Sequence, residues 1–209
     1  EVLSIDDEAG LLALVQAGVL EIHPWGSTLA DPERPDRVVF DLDPDEGLDW
    51  TAVVDAAVAV RGRLQALGLV SFLKTTGGKG LHVVAPLRPK ASWDAVKAFA
   101  LSVAEAMARD EPDRFTATVS KRARTGRIYV DYLRNGRGAT AVAAYSTRAR
   151  PRAPVSTPLA WDELSADLRP NHFTVETLPT RLRHLGADPW AGLADVDQTA
   201  PAPPRRRRC

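Results

Sequence analysis

Apolar positions recur along this chain in two periods, and each predicts its own kind of element. "RVVFDLD" (Arg37–Asp43) packs apolar and β-branched residues into a short run, which predicts a strand ending near Asp43. "VSFLKT" and "LHVVAPL" predict two more strands around "TGGKG", a hairpin-like unit with a glycine-rich connection. In Trp50–Gly68, residues Val53, Ala56, Ala57, Val60, Leu64 and Leu67 fall at helical spacing, and Gly68 stands where a helix stop belongs. Ser92–Asp110 predicts a second long helix with Ser92 as its cap. Shorter signals predict a helix over about residues 7–17, capped by Asp6 and Asp7, and a strand at "VLEIH" (Val19–His23). A further strand is expected at "IYVDYL" (Ile128–Leu133), and after the "NGRG" turn "TAVAAYS" reads as extended. Short helices are expected near Trp161–Leu168 and Thr177–Leu185. The order β, β, α, β, β, α, β, β and then helices, with tight links between strand pairs, predicts an α+β fold. Its sheet should be mixed or antiparallel rather than doubly wound.

Composition narrows the class. The 209 residues suffice for one sizeable domain or two small ones, and 44% hydrophobic with 26% charged residues is the balance of a soluble globular protein. No run approaches the roughly 20 apolar residues of a membrane span. The start shows no basic stretch followed by an apolar core, so no secretory signal is expected. A start at Glu1 without Met fits a processed chain, an excised domain or a fragment. The single cysteine, Cys209, excludes a disulfide framework or a cysteine-based zinc site within one chain, and fits a reducing cytoplasm. Net charge is zero, but four arginines lie in "PAPPRRRRC"; without them 23 basic residues face 27 acidic ones, a net of −4. Any nucleic-acid contact must therefore be local rather than a matter of bulk charge. Residues 197–209 read as a disordered Pro/Arg-rich tail or linker, leaving 1–196 as the domain.

Four groups of residues carry candidate chemistry. Asp41 and Asp43 share one face of their strand, with Cα atoms roughly 6.5–7 Å apart. Two carboxylates so placed ionise cheaply only beside a cation, and Mg2+ or Mn2+ takes such oxygen ligands. The plain alternative, an acidic turn into "PDEG", is the better reading of this pair alone. Asp131, mid-strand among Ile, Val, Tyr and Leu, needs a cation or a donor; otherwise it is an edge-strand residue facing water or a partner for one of the nearby arginines. "KTTGGKGLH" (Lys74–His82) lets backbone N–H groups approach a ligand, with a hydroxyl from Thr75 or Thr76, a charge from Lys79, and His82 opening the next strand. It suits a triphosphate, although it is not the Walker pattern, and a flexible hairpin turn would explain it as well. Arg148 in "YSTRAR", just past an extended run, is placed to hold a phosphate, or is simply a solvated charge.

Taken together and in order, "EIHPWGS", "FDLDP", "KTTGGKGLHVVAPL", "VDYLRNGRGATAVAAYS" and "APVSTPLAWDEL" resemble the polymerase domain of bacterial DNA ligase D, within the archaeo-eukaryotic primase superfamily. The resemblance runs from about Leu11 to Trp190. It implies a primase-like catalytic core, an RNA-recognition-motif-like sheet with flanking helices and a second α/β layer. The implied activity is template-directed addition of nucleotides, often ribonucleotides, at DNA ends or gaps in non-homologous end joining. Asp41, Asp43 and Asp131 match the family's metal-binding carboxylates for a two-metal site with Mn2+ or Mg2+. Thr76, where the family usually has Ser, together with Lys79, Gly80, His82 and Arg148 matches the contacts to the incoming nucleotide. His23 in "EIHPW" is expected near it.

The partners implied are nucleoside triphosphates, DNA ends or gapped template-primer, and the ligase, nuclease or end-binding proteins of end joining. The place of work implied is the bacterial cytoplasm, at the nucleoid. The family usually carries a further segment before this point, with basic residues that grip a 5′-phosphate and aromatics that stack on the duplex. The chain is expected to lack it while keeping its carboxylates. The competing expectation is a truncated, non-catalytic nucleotide- or partner-binding module of the same fold. A sugar-nucleotide transferase with Asp-x-Asp would need neither Asp131 nor the histidine after the glycine loop.

Overall fold

The computed structural model describes residues 3–201. Strand β1 (Arg37–Pro44) shows why the sheet has two unlike faces. Side chains alternate across a strand. Val38, Phe40 and Leu42 are fully buried in the main core, while Arg37, Val39, Asp41 and Asp43 take the other side. The remaining strands are β2 (Phe72–Thr75), β3 (Leu81–Pro86), β4 (Phe115–Thr116), β5 (Ile128–Asp131) and β6 (Pro158–Leu159). They line up as β4-β5-β1-β3-β2-β6. All neighbours are antiparallel except β4 and β5, which are parallel. The mixed sheet expected from the short connections is thus present.

Two long helices close one face. Helix α2 (Trp50–Ala66) buries Val53, Ala56, Ala57, Val60 and Leu64, and α3 (Trp93–Asp110) buries a stripe from Trp93 to Met107. Ser92 caps α3 as expected, its hydroxyl accepting from the Ala95 N–H. Gly68 ends α2 at φ +77°, a left-handed conformation that suits glycine. The run β1-α2-β2-β3-α3-β5, with central order β5-β1-β3-β2, is the βαββαβ pattern of an RNA-recognition-motif-like sheet. Leu64 has no exposed surface, so Leu64→Ala is expected to cost about 3 kcal/mol. That should appear as a fall of about 10 °C in the thermal midpoint.

Helix α1 (Glu8–Gln16) forms as expected, with the Asp7 carboxylate accepting from the Gly10 N–H. Helix α4 (Leu178–His184) matches the expected helix near Thr177–Leu185. Four expectations need correction. "VLEIH" is not a strand: Ile22 and Pro24 meet residues 141–146 through scattered hydrogen bonds, and Trp25 and Thr140 form one isolated bridge. "TAVAAYS" therefore has no ladder either, and the two segments form an irregular strap over the sheet's polar face. The helix near Trp161–Leu168 shrinks to a single 3-10 turn, Trp161–Glu163. Among the described residues there is one sheet, so loops take the place of the expected second α/β layer. The ordered body also runs past residue 196. Gln198 bonds both the N–H and C=O of Val70 and the C=O of Pro86, and Ala200 packs on the core. The arginine run lies outside the described residues.

Candidate active site

Strand register assembles the site. Asp131 lies opposite Asp41, Asp41 opposite His82, and His82 opposite Lys74. One lateral row across β5, β1, β3 and β2 thus carries two carboxylates, an imidazole and an ammonium, on the face away from the helices. Asp43, two residues further along β1, sits opposite Tyr129. Leu42, between the two aspartates, points into the core, as the alternation demands.

Each carboxylate has a cationic or donor partner. Arg134 Nε lies 3.1 Å from Asp41 Oδ2 and 3.4 Å from Asp131 Oδ2, so one guanidinium bridges the two strands. Asp43 Oδ2 accepts from Arg124 Nη1 at 2.5 Å, and Arg124 stacks over the Tyr129 ring. Asp131 Oδ1 accepts from the Leu133 N–H at 2.8 Å and from the Tyr129 hydroxyl at 3.2 Å. Among the described residues no three acidic, histidine or cysteine side chains converge as a ready metal cage. The donor set still suits a hard divalent ion: all three ligand groups are carboxylates, and two arginines now occupy the cationic positions between and beside them.

Burial sets the charges in this row. Burial opposes ionisation of Asp41, but His82 and Arg134 outweigh it and hold the carboxyl at about 2. His82 is pushed down to about 4 by burial, with the Lys74 charge adding to it, so at neutral pH its ring is neutral. Its contribution to Asp41 at that pH is an Nε2–H at 3.5 Å, and Arg134 supplies the charge. Burial and the neighbouring Asp41 raise Asp131, against the pull of the Leu133 N–H. Lys74, 2% exposed, is lowered to about 7 by burial while Asp41 pulls it back up, and its Nζ lies 2.6 Å from Ser156 Oγ.

The glycine loop wraps the other side of the row. Thr76 Oγ1 donates to the Gly80 carbonyl at 3.0 Å and accepts from the N–H groups of Gly78 and Gly80. The hydroxyl expected to meet a phosphate is thus engaged in holding the loop's shape. Gly80 allows contact rather than making it: a Cβ there would lie 1.9 Å from the Leu42 carbonyl oxygen. Lys79 pairs with Glu46 at 2.8 Å, an exposed pair that water screens and a ligand can displace. Arg148 Nη1 donates to the Thr76 carbonyl at 2.6 Å, and its Nε meets Glu21. His23, Thr76, Lys79, Gly80, His82 and Arg148 all line one open cleft of about 210 Å³ with Asp41 and Asp43. Asp131 stands at its side, joined through Arg134.

Carboxylates paired across strands beside a basic cleft on this sheet narrow the family, and comparison of the sequence decides it. The profile of the LigD primase-polymerase domain matches residues 1–190. The chain belongs to this LigD domain family. A multifunctional non-homologous end joining protein LigD of Pseudomonas aeruginosa is 46% identical over 206 residues, which is 98% of this chain and 24% of that protein. The bifunctional end joining LigD of Bacillus subtilis is 32% identical over 87% of this chain and 30% of its own length. The chain therefore spans about a quarter of the length of the LigD proteins it matches. A solved polymerase domain from Mycobacterium tuberculosis ligase D, in complex with DNA, superposes with a TM-score of 0.84 at 33% identity. That match covers 94% of this chain and 70% of the other.

Sequence reasoning gave no role to four residues that contact the candidate site residues: Lys74, Arg134, Arg124 and Glu21. Lys74 carried a signal, because a lysine in "FLKT" alternates with the buried Leu73 and so shares the face of His82. For the arginines the signal was general, since Asp131 called for a nearby arginine without saying which, and both Arg124 and Arg134 lie on irregular 3-10 turns whose direction no periodicity reports.

Proposed function

We propose that the chain is the nucleotidyltransferase unit of an end-joining ligase, adding nucleotides to the 3′ end of broken or gapped DNA. The observation that carries this reading is the pairing of Asp131 with Asp41 across β5 and β1, with Asp43 on the same face, beside a cleft holding Lys79 and Arg148. Asp41, Asp43 and Asp131 would hold divalent Mn2+ or Mg2+, with Arg124 and Arg134 turning away as the ions enter. When bound, the ions would activate the attacking hydroxyl and stabilise the leaving pyrophosphate. Lys79 and Arg148 would neutralise the triphosphate and set its direction, the larger part of the work in phosphoryl transfer. His82, neutral and buried, would keep Asp41 oriented through its Nε2–H. Thr76 and Gly80 would act by shaping the loop, and His23 would stand at the cleft's rim. The partners follow: nucleoside triphosphates, DNA ends, and the ligase, nuclease or end-binding functions of end joining, at the bacterial nucleoid. No helix among the described residues is long and apolar enough to cross a membrane.

A second reading, a nucleotide-binding module without catalysis, is favoured by one observation: each of the three carboxylates already has an arginine beside it. One assay separates the two. The chain is incubated with Mn2+, a labelled nucleoside triphosphate and a gapped duplex bearing a 5′-phosphate. The polymerase reading expects extension of the primer. Triphosphate binding with no extension would establish the module instead.

A further inference from the structure

Glu21 has no part in the metal and phosphate assignments, yet it touches two of the residues that line the cleft. We propose that Glu21 is a positioning residue whose carboxylate holds Arg148 and His23 in the geometry from which they receive the nucleoside triphosphate. The proposal rests on the polymerase reading above and adds to it the residue that preorganises its phosphate side.

The geometry is specific. Glu21 Oε2 accepts from Arg148 Nε at 3.1 Å and from His23 Nε2 at 2.7 Å, while Oε1 accepts from the Ala149 N–H at 2.8 Å. Among the described residues neither Arg148 nor His23 makes another ion pair. Arg148 Nη1 is spent on the Thr76 carbonyl. A guanidinium is planar, so two anchored edges fix its plane and leave Nη2 as the edge for a ligand. Gly77, at φ +65°, completes the arrangement, since a Cβ there would come 2.8 Å from Arg148 Cγ.

The Glu21 carboxyl is held down at about 2, chiefly by the His23 hydrogen bond against the cost of burial, so it is charged at neutral pH. The backbone near Glu21 has anchors of its own. The Ile22 N–H donates to Ser146 Oγ, the Ala143 N–H to the Ile22 carbonyl, and the Thr147 hydroxyl to the Leu20 carbonyl. Removing the carboxylate should therefore loosen Arg148 and His23 while the strap stays in place.

The test compares the parent chain, Glu21→Gln, Glu21→Ala, Arg148→Ala and the Glu21→Ala/Arg148→Ala double variant. Steady-state extension of the gapped duplex is measured together with direct binding of a fluorescent nucleoside triphosphate and thermal midpoints. Glu21→Ala is expected to raise KM for the triphosphate about tenfold, with kcat within about threefold of the parent and an unchanged midpoint. Glu21→Gln, which keeps an acceptor and loses the charge, should fall between. Acting through Arg148, the loss should largely vanish in the Arg148→Ala background. A parent-like KM, a loss confined to kcat, a loss that tracks a falling midpoint, or full additivity in the double variant would each overturn the proposal. A parent chain that neither binds triphosphate nor extends the primer overturns the polymerase reading as well. Parent activity beside an unaltered Glu21→Ala variant overturns the positioning role alone.

Discussion

Asp41→Ala is expected to reduce nucleotide addition by about 10³-fold or more while leaving the fold intact. Asp41 is the centre of the lateral row: Asp131 faces it from β5, His82 from β3, and Arg134 approaches from the turn after β5. In the proposed mechanism it is the ligand whose loss removes a divalent ion, and such an ion contributes several kcal/mol to a phosphoryl-transfer transition state. At about 1.4 kcal/mol per decade of rate, that is three decades. The effect on stability has the opposite scale. Removing a buried carboxylate usually strands its partner, but the Arg134 side chain is 44% exposed and retains Asp131 at 3.4 Å. The thermal midpoint should therefore stay within a few degrees of the parent. Asp131→Ala should match the loss of activity, because the two carboxylates face each other across one strand pair. Primer extension under Mn2+, with calorimetry on the same samples, checks both halves. Substantial extension by either variant would remove these residues from a metal site. A collapse of the midpoint would make the row structural.

Gly80→Ala is expected to damage both stability and activity by adding a single methyl group. The Cβ would stand 1.9 Å from the Leu42 carbonyl oxygen and 3.1 Å from its carbon. Both contacts are to backbone, so no side chain can move aside. The remedy is to part β1 from β3 at the step where Leu42 pairs with Leu81. Overpacking of this kind costs about 3 kcal/mol, which for a domain of this size lowers the thermal midpoint by about 10 °C. The same displacement carries Asp41 and Asp43, the residues on either side of Leu42. A misplacement of roughly 1 Å in a catalytic constellation costs about 100-fold in rate. Gly68→Ala is the informative control. Gly68 has positive φ but open space around it, so it should lose only the backbone term, about 1 kcal/mol. A Gly80→Ala variant with parent-like midpoint and rate would show that the two strands do not approach so closely.

How much of this was legible beforehand depended on distance along the chain. The β1 run, helices α2 and α3 and the hairpin around the glycine loop were readable because periods of 2 and 3.6 are local properties. The acidic pair on one face with Leu42 facing inward follows from the same period. "VLEIH" shows the limit of that reasoning. Its residues favour a strand, but a strand exists only when a partner supplies a ladder, and residues 140–146 supply one bridge, at Trp25 beyond the run. The Thr76 hydroxyl shows it again. Its residue type suits a phosphate donor, but the turn of the loop brings Gly78 and Gly80 onto it first.

Periodicity along the chain thus dictated strands β1, β2, β3 and β5, the buried helical stripes and the side of β1 on which Asp41 and Asp43 lie, because each is settled within a few residues. Folding added the row that sets Asp131, Asp41, His82 and Lys74 side by side, the arginines that answer the carboxylates, and Glu21 against Arg148 across 127 positions of chain. Those arrangements arise from strand register and loop closure. Both are set by which distant segments can bury their apolar faces together, and no local run of residues encodes that.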